Sequence, residues 1–487
     1  MAIGGLLRRL IGRMLPKQNL EKKLGIKIAT SSIMDNEIQL WLKMYQNEPP
    51  WMGGKEDIKC LNLPASISEE LARLILTEFS VAVDGSLRAN FINEQLESMF
   101  GEMSNVVEMW CALGGIALKP YVSGENEETG QPEKICLDVT YANRFFPTAF
   151  NSNKEITGAV FVDSKRVGDY MFTRLEYHYL EGTHYTVKNM AFRSERLNTT
   201  TTEDNNVNVE QPFSEEVSLD SVEEWKGLEP LVEMDGIDRP LFVYVKVPRA
   251  NNKDLMSPLG VSVFSRATSL IEEADKQFSR ILWEYEAKET AIDADEALFD
   301  TDRKGNPILP RGRERLYRSY HFGSTNKQGF IDTFSPEIRD SPMFNGLNKL
   351  FRNIEFLCGL AYGTISDVNI NANGEKTATE IKASKQRSYT TVSSLQKAWE
   401  DGLKDLVSVM DTICTLYDMT PTGDIDISIT WGDGVLEDTD VEYQRRWQMV
   451  MAGKYRLEKF YEWYFGCTEE QALEMIPEAR QMFPPEE

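Results

Sequence analysis

The chain has 487 residues, 41% of them hydrophobic and 27% charged, and a formal net charge of −24 at pH 7. This length supports a large core and about three domains. So acidic a chain argues against a free-standing nucleic-acid binder, because such proteins present a basic face to phosphates.

The cysteine spacing and the length of the apolar runs indicate which compartment and which class of protein to expect. None of the six cysteines belongs to a C-x-x-C pair, so we expect reduced core thiols of a cytoplasmic protein. No uninterrupted apolar run approaches the roughly 18 residues of a membrane span, so we expect no transmembrane helix.

The first residues form a basic amphipathic segment, and we expect residues 1–30 to be an arm outside the core. Within residues 1–23, six Lys and Arg side chains accompany a single acidic residue, Glu21. In an otherwise acidic chain this favours an arm that docks a partner protein. Removing residues 1–23 should therefore leave the protein's own assembly intact but impair its docking into a larger particle. A membrane-surface helix and a loosely packed terminus remain alternatives.

Helical and then strand-like patterns between residues 31 and 250 predict a mixed domain of helices and sheet. Helical spacing covers 33–45 and 91–110, and Ser66 with Glu69 predicts a capped helix start. The acidic, turn-rich residues 198–238 are interpreted as a solvated surface excursion. A period of two predicts strands at 116–122, 135–141, 156–162, 170–179, 184–192 and 241–247.

Two long helices with apolar stripes are predicted in the middle of the chain. The first is expected from Ser257-Pro258 to residue 289, and the second over 343–362. The insert between them, residues 290–340, has strand-like pieces at 314–320 and 329–334. The stripe of the first helix includes Phe264, Ile271, Phe278 and Ile281, and the insert carries the basic residues Arg303, Lys304, Arg311, Arg313 and Arg315.

A polar loop and a third long helix follow. Residues 366–376 contain three asparagines, a glycine and no aromatic residue, and they are longer than an ordinary helix–helix connection of about two to eight residues. The helix after this loop is expected from Thr377 to about Tyr417. A strand at 425–429 and short helices from Thr439 onward complete the pattern.

The order of these elements, together with three short runs, resembles the portal proteins of tailed bacteriophages. The runs are Ser-Pro-Leu-Gly-Val-Ser-Val-Phe at 257–264, the loop at 366–376, and Thr-Ala-Thr-Glu-Ile at 377–381. The resemblance covers about residues 30–480 and implies an α+β portal fold. Its parts would be a wing (31–250), a first stem helix (251–289), a clip (290–340), a second stem helix (341–364), a tunnel loop (365–376), a wing spine helix and strand (377–432) and a helical crown (433–487).

The resemblance also implies a function. Such a protein is structural, binds no cofactor, and forms a dodecameric ring at one capsid vertex of the virion, with no membrane involved. Double-stranded DNA would pass through the ring during packaging and ejection, and acidic walls would discourage it from sticking. The implied partners are the major capsid protein, the scaffold, the head–tail adaptor and the terminase large subunit, which hydrolyses ATP during assembly in the host cytoplasm.

Particular residues receive roles from the same resemblance. The DNA-facing tunnel loop would consist of Ser366, Asp367, Asn369, Asn371, Asn373, Gly374 and Lys376, with Lys382 and Lys385 as phosphate contacts. The five basic residues of the insert would form a rim that meets the adaptor and the terminase. Phe264, Ile271, Phe278 and Ile281 would pack the stem helices against each other.

Two alternatives remain open. Asp433, Asp438 and Asp440 could hold a metal ion in a metal-dependent nucleic-acid enzyme, although turn formation and helix capping explain them without one. The chain could also be another virion structural protein, such as a capsid or connector component. We predict no metal site and no catalytic residue, since the sequence contains no phosphate-binding loop motif and its three histidines are not at metal-ligand spacing.

Overall fold

The computed structural model describes residues 17–53, 58–99, 101, 103–124, 132–194, 213–288, 291–295, 299–301, 307–308, 317–320, 331–335, 337–367, 378–431, 439–465 and 472–473. The chain divides into two compact units, the larger comprising residues up to Ile75 and Val81–Ser428 and the smaller Leu76–Ser80 and the residues from Ile429 onward. Mixed helices and sheets confirm the α+β class. The limits of the wing, stem, clip and crown stay predictions.

The described helices and strands have the following bounds. The helices are α1 (Lys17–Leu24), α2 (Ser32–Tyr45), α3 (Leu63–Leu76), α4 (Leu87–Met99), α5 (Met103–Leu113), α6 (Thr268–Ala287), α7 (Asp340–Cys358), α8 (Ala378–Leu416), α9 (Thr439–Met451) and α10 (Leu457–Phe465). The strands are β1 (Ser80–Asp84), β2 (Gly115–Ser123), β3 (Lys134–Tyr141), β4 (Phe145–Phe150), β5 (Ile156–Val167), β6 (Tyr170–Glu181), β7 (His184–Arg193), β8 (Glu215–Val217), β9 (Leu231–Asp235), β10 (Val243–Lys246), β11 (Ala291–Asp295), β12 (Asp300–Thr301), β13 (Pro307–Ile308), β14 (Tyr317–Tyr320), β15 (Ile331–Phe334) and β16 (Asp426–Thr430).

The largest sheet is antiparallel, with the strand order β4–β5–β6–β7–β8 and β9 also paired to β7. Gly182 lies in the turn between β6 and β7 at φ +64, a backbone angle that glycine adopts without steric cost. One face of the sheet buries Phe146, Leu175 and Phe192, and Leu20 of α1 is fully buried in the same cluster. The expectation that residues 1–30 form an arm outside the core is therefore wrong for the part beginning at Lys17.

A second antiparallel sheet, β10–β2–β3, supports the long helix α8, which has 39 residues and is about 58 Å long. Trp110 of α5 donates from Nε1 to the carbonyl oxygen of Val245 at 3.0 Å, and its ring centroid lies 5.1 Å from that of Trp399 on α8. A β-carbon on Gly402 of α8 would meet Val245 Cγ2 at 2.5 Å. The absence of a side chain at Gly402 thus lets α8 lie close against β10.

The predicted helix start at Ser257 is wrong, because α6 begins at Thr268. Residues 257–267 instead form buried turns at the end of α5. The Val263 N–H donates to the Cys111 carbonyl oxygen at 3.0 Å, and a β-carbon on Gly260 would lie 2.0 Å from the Gly114 carbonyl oxygen. These tertiary contacts use the backbone groups that a helix would pair internally, and they override the helical spacing.

Two other sequence interpretations need correction. Ser66 does not cap a helix, since α3 already begins at Leu63 and Ser66 donates to the Asn62 carbonyl oxygen from inside the helix. Most of the described part of 198–238 is exposed, as predicted, but it is anchored to the large sheet. Trp225 is buried and donates from Nε1 to Asp163 at 3.0 Å, and β9 pairs with β7, because widely spaced apolar residues anchor an otherwise acidic segment.

The insert contains strands, as predicted. β11 lies between β14 and β15, parallel to the first and antiparallel to the second. Arg318 of β14 donates from Nε to Asp293 of β11 at 2.7 Å. In the smaller unit, α9 and α10 pack through aromatic rings, with Phe460 buried and its centroid 5.4 Å from those of both Tyr443 and Trp447.

Candidate functional site

Helices α6 and α7, the predicted stem helices, pack against each other. Ile271 and Ile281 on α6 are each 1% exposed, and Phe278 is half-buried. Leu347 and Ile354 are the matching buried residues of α7. Phe264 is fully buried, but it belongs to the turns before α6 and not to the helix.

An ion-pair cluster joins α6 and α7 beside the insert. Arg339 donates from Nε and Nη2 to the two carboxylate oxygens of Glu284, at 3.1 and 2.9 Å. Lys288 lies 3.1 Å from the same carboxylate and donates to the Glu337 carbonyl oxygen at 2.8 Å. The hydrogen bond from Arg339 lowers the pKa of Glu284 to about 2. The base of the insert is thus closed by charge-assisted hydrogen bonds.

Asp275 ties the middle of α6 to the N-terminal part of the chain. Its carboxylate accepts hydrogen bonds from Trp51 Nε1 at 2.9 Å and from the Leu61 N–H at 2.8 Å. Burial raises the pKa of Asp275, and these two donors oppose the rise. A buried carboxylate with two specific donors fixes the rotation of the helix that carries it.

After α7 the chain folds back along this helix. The helix ends at Cys358, and Gly359 adopts the left-handed conformation at φ +80 that commonly ends helices. The carboxylate of Glu355, which is fully buried, then accepts the N–H groups of Gly363 at 3.1 Å, Ile365 at 2.6 Å and Ser366 at 2.8 Å. The Ser366 hydroxyl donates to the other carboxylate oxygen at 2.8 Å.

The next residue of the fold-back, Asp367, is bound by Asn348 of α7. The Asp367 N–H donates to the side-chain oxygen of Asn348 at 2.8 Å, and the Asn348 amide donates to the Asp367 carbonyl oxygen at 2.9 Å. Asn348 precedes Cys358 by ten residues, so Asp367 lies about 15 Å back along the helix from its end. We call Glu355, Asn348 and their partners in residues 363–367 the loop clamp.

Two arginines hold the segments next to this fold-back against α7. Arg249 donates to the carbonyl oxygens of Val263, Leu357 and Cys358 and so joins the turns before α6 to the end of α7. Arg387 of α8 lies over the Phe356 ring at 4.4 Å and over the Tyr362 ring at 5.4 Å. Both the fold-back and the first part of α8 are therefore held to α7.

The predicted loop and rim residues are only partly described. Ser366 is buried with its hydroxyl on Glu355, whereas the Asp367 side chain is exposed. Lys382 and Lys385 lie on α8, where the backbone but not these side chains is described. Outside the described residues lie Asn369, Asn371, Asn373, Gly374, Lys376, Arg303, Lys304, Arg311, Arg313 and Arg315.

Sequence reasoning missed the loop clamp. Asn348 and Glu355 are seven residues apart, so they share one helix face, and each directly follows a buried residue of the apolar stripe. A pair of polar residues at heptad spacing beside such a stripe is the signal that could have identified them. It could not have shown what they bind.

A buried charge network lies in the large sheet and its neighbour. The Glu176 carboxylate accepts from Arg174 at 3.0 Å, from His178 at 2.8 Å and from Lys119, while His178 also bonds the Tyr185 hydroxyl at 2.7 Å. Burial alone would raise the pKa of Glu176, but the Lys119 charge and the His178 hydrogen bond hold that pKa well below its usual value. Burial lowers the pKa of His178. Each of these buried charges has a partner, which is what a structural role requires.

The open alternatives gain no support from the described residues. Within the described ranges, no group of three or more His, Cys, Asp or Glu side chains is placed to hold a metal ion. Asp433 and Asp438 lie outside those ranges, and Asp440 lies on α9 with its side chain undescribed. No helix in the described part of the chain is long and apolar enough to span a membrane.

The comparison with known families gives one match. A family model described as phage portal protein, SPP1 Gp6-like, matches residues 60–483 of the chain. The matched range contains α6, α7, the insert between them, the fold-back and α8. A search of curated proteins returned no match.

Proposed function

The chain belongs to the SPP1 Gp6-like family of phage portal proteins, and we propose that it forms a closed dodecameric ring at one capsid vertex. Double-stranded DNA enters and leaves the capsid through this ring. The observation that carries the proposal is the family match, which covers both α6 and α7, the proposed stem helices. These two helices also leave large apolar side chains exposed. In the family the protein is structural and part of the virion.

Several large apolar side chains close in sequence to Glu284 and Arg339 are exposed. On α6 they are Leu282, Trp283 and Tyr285, of which Trp283 is 65% exposed, and on the α7 side they are Ile338 and Phe344. A monomer rarely exposes several large apolar side chains together, and a ring buries such surfaces between neighbouring copies. This supports a neighbouring copy as their partner.

The segment from Asp367 to Lys376 is our candidate for brief contact with the DNA. Its charges nearly cancel, since Asp367 and Glu375 stand against Lys376. Weak attraction suits translocation, because each tight phosphate contact would have to be broken at every step. Lys382 and Lys385 on α8 are proposed as the next phosphate contacts.

The insert is the proposed docking rim for the head–tail adaptor and the terminase. Its basic residues Arg303, Lys304, Arg311, Arg313 and Arg315 contrast with the acidic chain as a whole and would attract acidic partner surfaces. The remaining partners are the major capsid protein and the scaffold during assembly in the host cytoplasm. The ring itself performs no catalysis, since the terminase hydrolyses ATP.

Native mass spectrometry tests the ring. We expect closed multimers of the 55.6 kDa chain, and we expect Trp283→Asp to shift them to monomers, because a charge at the contact is costly to bury. Trp283→Phe keeps an apolar ring there and should still assemble. A stable monomer of the unaltered chain at all concentrations would refute the proposal, as would metal-dependent nuclease turnover that Asp433→Ala abolishes.

A packaging assay with matched portal incorporation tests the loop. Replacing Asn369, Asn371 and Asn373 with Lys should slow DNA passage severalfold while the ring still assembles, since each added cation can hold a phosphate. Unchanged packaging and DNA retention would mean that the loop does not touch DNA.

A further inference from the structure

The loop clamp does more than end a helix. α7 already has its own C-terminal closure, in which the Gly359 N–H donates to the Phe356 carbonyl oxygen and the Leu360 N–H to the Glu355 carbonyl oxygen. The side chains of Glu355 and Asn348 act beyond this closure, on residues 363–367. They fix where the chain leaves the helix surface.

The hydrogen bonds of the loop clamp involve a buried charged group, so a few residues stabilise the fold-back. A fully buried carboxylate is stable only when donors surround it, and Glu355 has three backbone N–H groups and one hydroxyl. Hydrogen bonds to a charged group stabilise more than neutral ones do. Asn348 adds a two-way amide pairing with Asp367, of the kind that neighbouring strands make.

The early part of α8, which follows residues 368–377 along the chain, is held to the same helix, α7. Arg387 of α8 stacks on Phe356, one residue after Glu355, and on Tyr362 within the fold-back. The entry to this segment and the early part of the helix after it are therefore both referenced to α7. A displacement of α7 would carry both together.

We propose that Glu355 and Asn348 are positioning residues that set the height at which the DNA-facing segment leaves the stem helix. The inference rests on the proposed DNA channel, and it assigns the clamp to that function and not to ring stability. In a ring the same clamp in every copy holds each loop at a common radius and height. Loss of the clamp lets the loops slip and weakens their hold on DNA.

The test uses two clamp variants and a matched control. Asn348→Leu removes both bonds to Asp367 with little change in volume, and Glu355→Gln removes the charge while keeping the shape. Thr364→Ala removes the bond from the Thr364 hydroxyl to the Ala361 carbonyl oxygen, which lies inside the fold-back and does not involve α7. Each is measured in full-length rings for assembly, for amide hydrogen exchange at residues 363–367, and for packaging with matched incorporation.

We expect both clamp variants to form rings and to exchange the amides of 363–367 at least about tenfold faster, equivalent to about 1.4 kcal/mol. DNA retention should fall severalfold, and Thr364→Ala should match the unaltered protein. Faster amide exchange with normal DNA retention would overturn the inference and leave the clamp a structural role only. Failure of Asn348→Leu to form rings would overturn it in the same way. If the triple Asn→Lys variant alters packaging while the clamp variants do not, the channel proposal survives and the positioning inference fails.

Discussion

Gly114 and Gly260 pack backbone against backbone. A β-carbon on Gly260 would lie 2.0 Å from the carbonyl oxygen of Gly114, and that same oxygen accepts the Val247 N–H at 2.9 Å. The contact joins the end of α5 to the turns before α6.

We expect Gly260→Ala to destabilise the protein by about 3 kcal/mol or more, because the added methyl group meets a backbone atom that cannot move aside. Gly346→Ala on α7 is the control, since no atom lies within 4 Å of the added methyl group. That variant should gain about 0.5–1 kcal/mol from helix propensity. Denaturant unfolding at equal protein concentration measures both, and equal midpoints would contradict the contact.

Arg339→Ala should open the base of the insert. It leaves the nearly buried Glu284 carboxylate with Lys288 alone, so we expect severalfold faster amide exchange at residues 284–288 and 337–340. Arg339→Lys keeps the charge but not the two-pronged geometry and should be intermediate. Exchange rates equal to those of the unaltered protein would show that the ion pair contributes nothing there.

The two described histidines of the large sheet predict opposite pH dependences of stability. Burial depresses the pKa of His178, so the unfolded chain binds a proton that the folded chain does not, and stability falls as pH drops below about 6.5. The Asp235 hydrogen bond raises the pKa of His184, so its contribution is present below about 6.5 and is lost as pH rises through the folded value.

His178→Gln should therefore flatten the loss of stability between about pH 6.5 and 5, by at most about 1.4 kcal/mol per pH unit. His184→Gln should instead remove stability at the acidic end of the same range. Below about pH 4.5 both variants should still lose stability through Glu176, whose pKa is depressed. Parallel stability curves for the two variants would contradict these assignments.

Truncation separates residues 1–16 from the packed helix α1. Removing residues 1–16 should leave the unfolding temperature nearly unchanged but reduce incorporation into procapsids, since the deletion keeps Leu20 and the core cluster around it. Removing residues 1–23 also deletes Leu20 and should lower the melting temperature by several degrees. Leu20→Ala, at about 2–5 kcal/mol, is the point-mutation equivalent.

Elements with an uninterrupted local pattern were predictable from sequence. The helix expected from Thr377 to about Tyr417 is Ala378–Leu416, and the strand expected at 170–179 is the core of Tyr170–Glu181. The membership in the portal family is also confirmed by the family match over residues 60–483. It was predictable because the order of elements and the short runs can be read from the sequence. Ring size, partners and the DNA contacts stay predictions.

The sequence alone determined the mixed fold, the pair of long helices around an insert, and the long helix after a polar loop. Periods of two and of 3.6 residues are local, and they can be read wherever one face is buried. Only the tertiary structure decided that residues 257–267 are turns, that Leu20 is core, and that Glu355 and Asn348 hold residues 363–367. Each of these depends on a partner distant along the chain or on a fold-back of the backbone, and such pairings leave no period in the sequence.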